Sequence, residues 1–554
     1  MGASPTTSIK RTEWAWVAGC AAVLALLVAA PYAVALLHPP QGFLMQRTLF
    51  YGGDLSQYLA AMGDGAASPS WLVRDHLTAE AHSPAFMYPF YVLLGKVGAL
   101  LGLPPLPLFA FFSIFAIPAF VFGAYYFAAG FIDSHRQRAA ATLFVLFSSG
   151  FGIWVAAAGA LDPAGTAGPS GFAYDRAEVS SYLLPFGPPH LTFALALLLV
   201  WGRALADWSW GGGARNLAIM AVAVLGVSLL NSFTAAPMLV LAGGYAAVRW
   251  IALGRFPSRE AGAALLAGAA AAPVLAASLA TFALDPFWSV TYGRQNTTGS
   301  PPVWALAVDF GFSLLLAAIG LTSRKVPATR RGFLGFWVVA LALMMYAPVG
   351  FQRRFGFGLQ PALAVAAALG AARAGDFLRR WPRASLQGLL ARLSFNTVVV
   401  VGLFSGTILG YGLFLVASSG GGPAGAAIFE PAGNVAAADW LASHSTRSDV
   451  VLASVETSNY LAGRIRGSVV VGHKAGTLDY PEKEALMKRF FAAGAVPGEA
   501  ARLAEQLNAS LVFVGDRERA LGAQAPGTGD GFDPIYDAGG VRIYRVGRPG
   551  AGGR

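Results

Sequence analysis

Residues 14–37 read WAWVAGCAAVLALLVAAPYAVALL, from Trp14 to Leu37, and contain no charged side chain. About 20 consecutive apolar residues suffice to cross the hydrocarbon core of a bilayer as a helix. Lys10 and Arg11 precede the run, and basic residues favour the cytoplasmic side. The run is too long for a signal-peptide core and lacks a clear cleavage site. We therefore interpret it as a retained first membrane helix with a cytoplasmic N-terminus.

The composition of the whole chain extends this interpretation. Of the 554 residues, 56% are hydrophobic and only 12% are charged, whereas soluble proteins carry roughly 25% charged residues. The net charge of +11 comes from Arg clusters between apolar runs, which is typical of cytoplasmic loops in the plasma membrane. The partner of this surface is therefore the lipid bilayer and not a nucleic acid. Cys20 is the single cysteine, so an intramolecular disulfide is excluded.

Ten further apolar runs predict a polytopic α-helical membrane protein with about eleven transmembrane helices. The apolar segment 84–103 contains Lys96 and is interpreted as a juxtamembrane helix, because this choice places nearly all later basic clusters inside. The outer loops are then 38–105, 161–188, 284–301 and 350–358. The predicted spans after the first are 106–131, 139–160, 189–207, 216–233, 235–252, 261–283, 302–321, 333–349, 359–374 and 394–416.

The composition changes at the Gly-rich linker that begins at Ser418. Beyond it, strand-like runs such as 449–453 and 510–515 alternate with helix-like runs such as 481–492. This alternation predicts a soluble α/β domain over 419–554, after a membrane module over 1–418. The number of preceding spans places that domain outside the cytoplasm.

The first outer loop concentrates acids and histidines in a chain that is otherwise poor in them. Asp54 follows Gly53 and precedes Tyr58 by one helical turn. A carboxylate held at the membrane surface can act as a general base toward a hydroxyl acceptor, which makes Asp54 the candidate catalytic residue. Asp64 and Asp75, by contrast, are expected to be solvated loop acids.

The second outer loop carries Asp175 and Glu178, which share a face if they lie on one helical turn. Two carboxylates in this arrangement would suit a hard divalent cation such as Mg²⁺ or Mn²⁺. The alternative is a surface cluster with Arg176. His190, where this loop re-enters the membrane, is either a ligand contact or a helix-end residue at the interface.

The loop before the tenth span carries Arg353 and Arg354 on the predicted outer side. This pair breaks the trend of positive charge inside, and its placement therefore asks for a reason. The guanidinium group binds phosphate in a planar, bidentate manner. A lipid phosphate of the outer leaflet is one partner; lipid headgroups or the outer acids are others.

This arrangement resembles the GT-C superfamily of polyprenyl-phosphate-dependent glycosyltransferases. The residues that carry the resemblance are Gly53 to Tyr58, Glu80 to Ala85 and the Asp175/Glu178 pair, together with the soluble C-terminal domain. The oligosaccharyltransferase signature Trp-Trp-Asp-Tyr-Gly is absent, which disfavours protein N-glycosylation.

The resemblance implies transfer of a sugar from a polyprenyl-phosphate donor to an acceptor, which the sequence does not identify, on the outer face of the membrane. It implies a catalytic Asp54 and a possible divalent cation held by Asp175 and Glu178. The implied donor-binding residues are Tyr58, His82, His190, Arg353 and Arg354.

Two other functions stay open on the sequence alone. A secondary transporter or lipid flippase would suit about eleven helices, but should show ionisable residues or paired broken helices within the membrane. A non-catalytic scaffold for envelope assembly would use the external domain as its working part.

Overall fold

The computed structural model describes residues 9–160, 176–295, 297–378, 386–421, 425, 427–492, 498–523 and 531–547. The chain divides into two compact units. The first unit consists of Met1–Pro31, Phe111–Ala276 and Thr298–Leu415, and the second of Tyr32–Ala110, Ala277–Thr297 and Val416–Arg554. The second unit therefore contains the predicted C-terminal domain and also the predicted first outer loop.

The chain is a polytopic α-helical membrane protein. Among the described residues, eight helices are long and apolar enough to cross a bilayer: Arg11–Leu37, Pro105–Phe131, His135–Val155, Pro189–Ser209, Ser232–Leu253, Ser258–Leu284, Gln352–Leu378 and Arg392–Ser418. The pair Val303–Phe310 and Phe312–Leu321 adds a ninth if it is one span, and it is bent by 84°. The predicted count of eleven is not confirmed.

Two of the predicted spans are short helices in the structure. Arg215–Leu230 has 16 residues and Ala328–Met344 has 17, so each is about 24–26 Å long, against about 30 Å for the hydrocarbon core. Pro89–Leu101, within the segment interpreted as juxtamembrane, has 13 residues and is only about 20 Å long. The side of the membrane on which each loop lies stays a prediction.

The helices of the two units have the following bounds. In the first unit they include His135–Phe147, Gly152–Ala160, Ala235–Leu253, Leu359–Leu378 and the long Leu386–Ser418, with 3₁₀ turns at Ser181–Phe186, Ser232–Thr234 and Gln352–Gly356. Besides Pro89–Leu101, the second unit contains Leu55–Ala67, Pro286–Trp288, Ala432–His444, Val455–Leu461, Tyr480–Ala492, Glu499–Gln506 and Asp516–Ala520, with a 3₁₀ turn at Gly52–Asp54 and a π-helix at Ser289–Gln295.

The strands all belong to the second unit. They are β1 (Phe43–Met45), β2 (Phe429–Pro431), β3 (Val450–Leu452), β4 (Ser468–Val469), β5 (Leu511–Val514), β6 (Phe532–Ala538) and β7 (Val541–Val546). β1 and β2 form an antiparallel pair; the other five form one sheet in the order β4-β3-β5-β7-β6. β4, β3 and β5 are parallel to one another, and β7 runs antiparallel to both of its neighbours, β5 and β6. The predicted C-terminal α/β fold is confirmed.

The helices Leu55–Ala67 and Pro89–Leu101 pack backbone to backbone in the second unit. A Cβ atom on Gly65 would lie 2.4 Å from the Val92 carbonyl oxygen, and one on Gly95 would lie 1.9 Å from the Met62 oxygen. Only glycine permits so close an approach. Tyr58 completes the contact by stacking on Tyr91, with ring centroids 4.4 Å apart. This packing fixes the helix that Asp54 precedes.

Candidate active site

Asp54 ends the 3₁₀ turn Gly52–Asp54 and occupies the N-cap position of the helix that follows, where its side chain makes no capping hydrogen bond. The turn is entered through Tyr51, whose φ of 53° lies in the left-handed region that aromatic residues rarely adopt. The Asp54 amide donates to the Tyr51 carbonyl oxygen at 3.1 Å. The Asp54 side chain is 33% exposed, so the carboxylate is accessible to a substrate.

The C-terminal domain holds this turn from two sides. Asn459, on the helix Val455–Leu461, donates from Nδ2 to the Gly53 carbonyl oxygen at 2.9 Å and accepts at Oδ1 from the Ser56 hydroxyl at 2.8 Å. His473 Nε2 lies 3.3 Å from Asp54 Oδ1, within ion-pair range. The ion pair uses Oδ1, so that Oδ2 is the oxygen that His473 does not contact.

A buried polar network lies in the pocket beside this helix. Tyr292 donates its hydroxyl hydrogen to Asp75 Oδ2 at 3.1 Å, and Tyr88 donates to Gln57 Oε1 at 2.6 Å. Trp288 also lines this pocket, and the space left between its side chains is about 10 Å³, which is enough for about one water molecule. Its lining combines hydroxyl, amide, carboxylate and aromatic groups.

Asp75 is 7% exposed, and the expectation of a solvated loop acid is therefore wrong for it. Burial raises the pKa of Asp75 to about 6, although hydrogen bonds from the Leu77 amide and the Tyr292 hydroxyl oppose the shift. Perturbed carboxyl groups of this kind are frequent in functional sites. Asp64 is partly exposed, but it is paired with His76 Nε2 at 3.2 Å.

His76 is held as a cation between the first outer loop and the C-terminal domain. Its Nδ1 donates to the Gly467 carbonyl oxygen at 2.7 Å and its Nε2 faces Asp64, and a ring that donates from both nitrogens is the imidazolium. Burial, the largest influence, lowers its pKa, but the hydrogen bonds to Asp64 and to the Gly467 carbonyl oxygen and the charges of Asp64 and Asp75 together leave the pKa above its ordinary value.

His82, predicted to bind the donor, has both ring nitrogens engaged within the loop. Nε2 accepts from the Asp75 amide at 2.9 Å and Nδ1 donates to the Glu80 carbonyl oxygen at 2.8 Å. Burial lowers the pKa of His82, and the ring stacks on Phe287 with centroids 4.3 Å apart. Tyr58, also predicted to bind the donor, is a buried packing residue. His82 therefore offers no free ring nitrogen to a ligand in this arrangement.

Glu178 and Arg353 come together in the first unit. Arg353 lies on the 3₁₀ turn Gln352–Gly356, and its Nε is 3.9 Å from Glu178 Oε2. This distance is too long for a hydrogen bond. Among the residues that the structure describes, neither atom has a hydrogen-bond partner, although both are buried. Buried polar atoms without partners call for an explanation, such as a ligand or water.

The remaining predicted residues have separate positions. Arg354 lies over the Phe233 ring, with its guanidinium carbon 4.3 Å from the centroid. His190 is buried in the first turn of the helix Pro189–Ser209. Asp175 lies outside the described residues, and its predicted pairing with Glu178 therefore stays a prediction.

The fold is similar to those of several solved membrane glycosyltransferases. The arabinofuranosyltransferase AftD from Mycobacteria matches 98% of this chain with 42% of its own, at 18% identity and a TM-score of 0.51. ArnT from Cupriavidus metallidurans, bound to undecaprenyl phosphate, matches 96% of this chain with 99% of its own, at 12% identity and a TM-score of 0.50. These neighbours are GT-C glycosyltransferases, and the fold of this chain is similar to theirs. No protein-family model and no curated protein matches the sequence.

Asp54 was a candidate from the sequence because the resemblance to GT-C glycosyltransferases is carried by this residue and its neighbours. His473, Asn459 and Tyr292 were missed as site residues. His473 lies in the predicted C-terminal domain, where a lone histidine does not indicate which residue it will contact. Asn459 and Tyr292 have no local signal at all.

Proposed function

We propose that this chain is a membrane glycosyltransferase that moves a sugar from a polyprenyl phosphate to an acceptor hydroxyl on the outer face of the membrane. Asp54 acts as the general base. The observation that carries the proposal is the one-third exposed Asp54 carboxylate, located at a helix start and paired with His473 through Oδ1. A base needs this combination of fixed position and access to the proton it removes.

The transfer displaces a phosphate from the anomeric carbon of the donor sugar. The acceptor oxygen forms the new bond, its proton passes to Asp54, and the bonding electrons leave with the polyprenyl phosphate. Negative charge therefore grows on the departing phosphate, and a cation near it lowers the barrier. Arg353 is suited to this role, because its buried Nε lacks a hydrogen-bond partner among the described residues. The acceptor is a lipid, a glycan or a protein.

The structural neighbour ArnT was solved with bound undecaprenyl phosphate, which supports a lipid-linked donor for the same fold. A polyprenyl chain would lie against the apolar helices, and the bilayer is its solvent. We also propose that the N-terminus is cytoplasmic and that the domain 419–554 is extracytoplasmic, on the same side as Asp54.

The described residues fit a divalent cation poorly. They contain no group of three or more His, Cys, Asp or Glu side chains that could hold a metal ion. Glu178, one of the two predicted ligands, faces the Arg353 guanidinium instead, and that cation competes with a metal for the carboxylate. No step of the proposed reaction depends on a metal.

The test uses the full-length protein in lipid vesicles with undecaprenyl-phosphate-linked, ¹⁴C-labelled pentoses and hexoses as donors and an envelope extract as the acceptor. Asp54→Asn should lower the transfer of label out of the lipid fraction by about 10²–10⁴-fold. Asp537→Asn is the matched control, since its exposed carboxylate pairs with Arg542 on β7 and should leave transfer unchanged. Full activity of Asp54→Asn would refute its role as the base.

One observation favours the transporter alternative. The helix breaks at residues 148–151 and at Gly311 meet inside the first unit, and Asp309 beside the second break is buried. However, the backbone groups at these breaks bond to protein: Phe151 N donates to the Val308 oxygen at 2.9 Å and Ser149 N to the Leu403 oxygen at 2.8 Å. Solute uptake by vesicles that is abolished in Asp309→Asn and unaffected in Asp54→Asn would favour transport over transfer.

A further inference from the structure

We infer that His473 of the C-terminal domain is a positioning residue for the Asp54 carboxylate, so that this domain forms part of the active site. The inference rests on the proposed role of Asp54 as the base. It assigns to the domain 419–554 a function in the transfer step itself.

The hydrogen on the His473 ring is directed by its surroundings. The Ala475 amide donates to His473 Nδ1 at 3.2 Å, so Nδ1 is the acceptor of the ring. In the neutral imidazole the other nitrogen then carries the hydrogen. That nitrogen, Nε2, is the one 3.3 Å from Asp54 Oδ1. The ring therefore carries a hydrogen on the nitrogen nearest the carboxylate whether it is neutral or protonated, although the present contact is an ion pair and not a hydrogen bond.

The turn that carries His473 is fixed to the first outer loop. The His473 carbonyl oxygen accepts from the amides of Gly476 and Thr477, both at 3.0 Å. Thr477 Oγ1 accepts from the Gly472 amide at 2.9 Å and donates to the Leu77 carbonyl oxygen at 2.7 Å. A ring on such a turn has little freedom to move away from its partner.

Engagement of one carboxylate oxygen restricts the rotation of the other. With Oδ1 directed toward His473, Oδ2 has a defined direction in which to accept a proton. The contact between Nε2 and Oδ1 is an ion pair at 3.3 Å and not yet a hydrogen bond; contacts of catalytic pairs are often poorly aligned before substrate binds and tighten in the complex. Asn459 adds two further contacts, to the Gly53 carbonyl oxygen before Asp54 and to the Ser56 hydroxyl after it.

The experiment is a double-mutant cycle in the transfer assay described above, with full-length wild type, Asp54→Asn, His473→Ala and the double variant. His473→Ala should lower kcat about tenfold or more while the KM for the labelled donor stays within about twofold. The double variant should be no slower than Asp54→Asn alone, because residues that act through one group are not additive.

Two further variants separate positioning from general stability. His473→Gln, whose amide can place a donor near the position of Nε2, should recover most of the lost kcat. Lys474→Ala, an exposed neighbour on the same turn, should match wild type. Additive losses in the cycle, or a His473→Gln variant as slow as His473→Ala, would overturn the inference.

The proposed function can fail separately. Wild-type protein that transfers no label from any of the donors would refute the glycosyltransferase proposal. In that case thermal unfolding of the same four proteins still tests the contact: non-additive shifts in Tm support the Asp54–His473 pair, and additive shifts refute it.

Discussion

Asp75 gives a stability prediction whose sign and size follow from its burial. The pKa of Asp75 is about 6 in the folded protein and about 3.9 in an unfolded chain. Between these values the folded protein holds a proton that the unfolded chain has released. Raising the pH through this window therefore lowers the free energy of unfolding. The total loss is about 3 kcal/mol, of which about 2 kcal/mol falls between pH 4.5 and pH 8.

The variant Asp75→Asn removes this dependence and keeps the contacts. Its carbonyl oxygen can accept from the Leu77 amide, as Oδ1 does at 2.8 Å. Its amide can donate to the Tyr292 hydroxyl, which can then donate to Gln57 Oε1, 3.4 Å away. At pH 8 the variant should thus be more stable than wild type.

The assay is thermal unfolding of full-length protein in detergent, at pH 4.5, 6 and 8. The difference in Tm between Asp75→Asn and wild type should rise by about 4–8 °C from pH 4.5 to pH 8, taking about 2–4 °C for each kcal/mol. Asp537→Asn, which removes an exposed carboxylate, is the control and should show a nearly constant difference. A constant difference for Asp75→Asn as well would refute the reasoning.

Two further predictions use matched pairs of residues. Gly65→Ala should lower the free energy of unfolding by about 1–3 kcal/mol, because its methyl group would meet the Val92 carbonyl oxygen. Gly63→Ala on the same helix meets nothing within 4 Å and should raise the free energy of unfolding by about 0.5–1 kcal/mol. Equal Tm values for the two variants would contradict the close packing. Arg353→Gln should raise the KM for a polyprenyl-phosphate donor about tenfold or more, and Arg354→Gln, whose guanidinium stacks on an aromatic ring, by less than about threefold; the reverse order would assign the phosphate to Arg354.

The membrane fold was accessible from the sequence because its signal is local. A run such as Trp14 to Leu37 can be recognised as a membrane span from its own composition. The α/β domain was predicted for a similar reason, since β3, β5 and β7 coincide with apolar runs of strand length. The edge strand β6 was missed because Pro534 and two aspartates interrupt its pattern, which only an edge tolerates. The bend at Gly311 was missed because a single glycine inside an apolar run does not by itself indicate that a helix is interrupted.

The candidate site was accessible only in part, because much of it is assembled from distant segments. Asp54 stood out through its own neighbours in the first loop. Asp75 looked like a solvated acid, since the residues that bury it are remote: its hydrogen bond to Tyr292 joins positions 217 residues apart. His473 and Asn459 are more remote still. Separations of this kind leave no trace in local composition or periodicity.

The same separation has a consequence for how the enzyme is made. Ser56 and Asn459, which are bonded in the folded protein, are 403 residues apart, and a ribosome adding about 5–20 residues per second needs about 20–80 s to pass from one to the other. During that time the loop around Asp54 has emerged, but the residues that hold it do not yet exist. A chain released early would lack these contacts, so that the Asp54 carboxylate would be positioned only after the C-terminal domain has been synthesised.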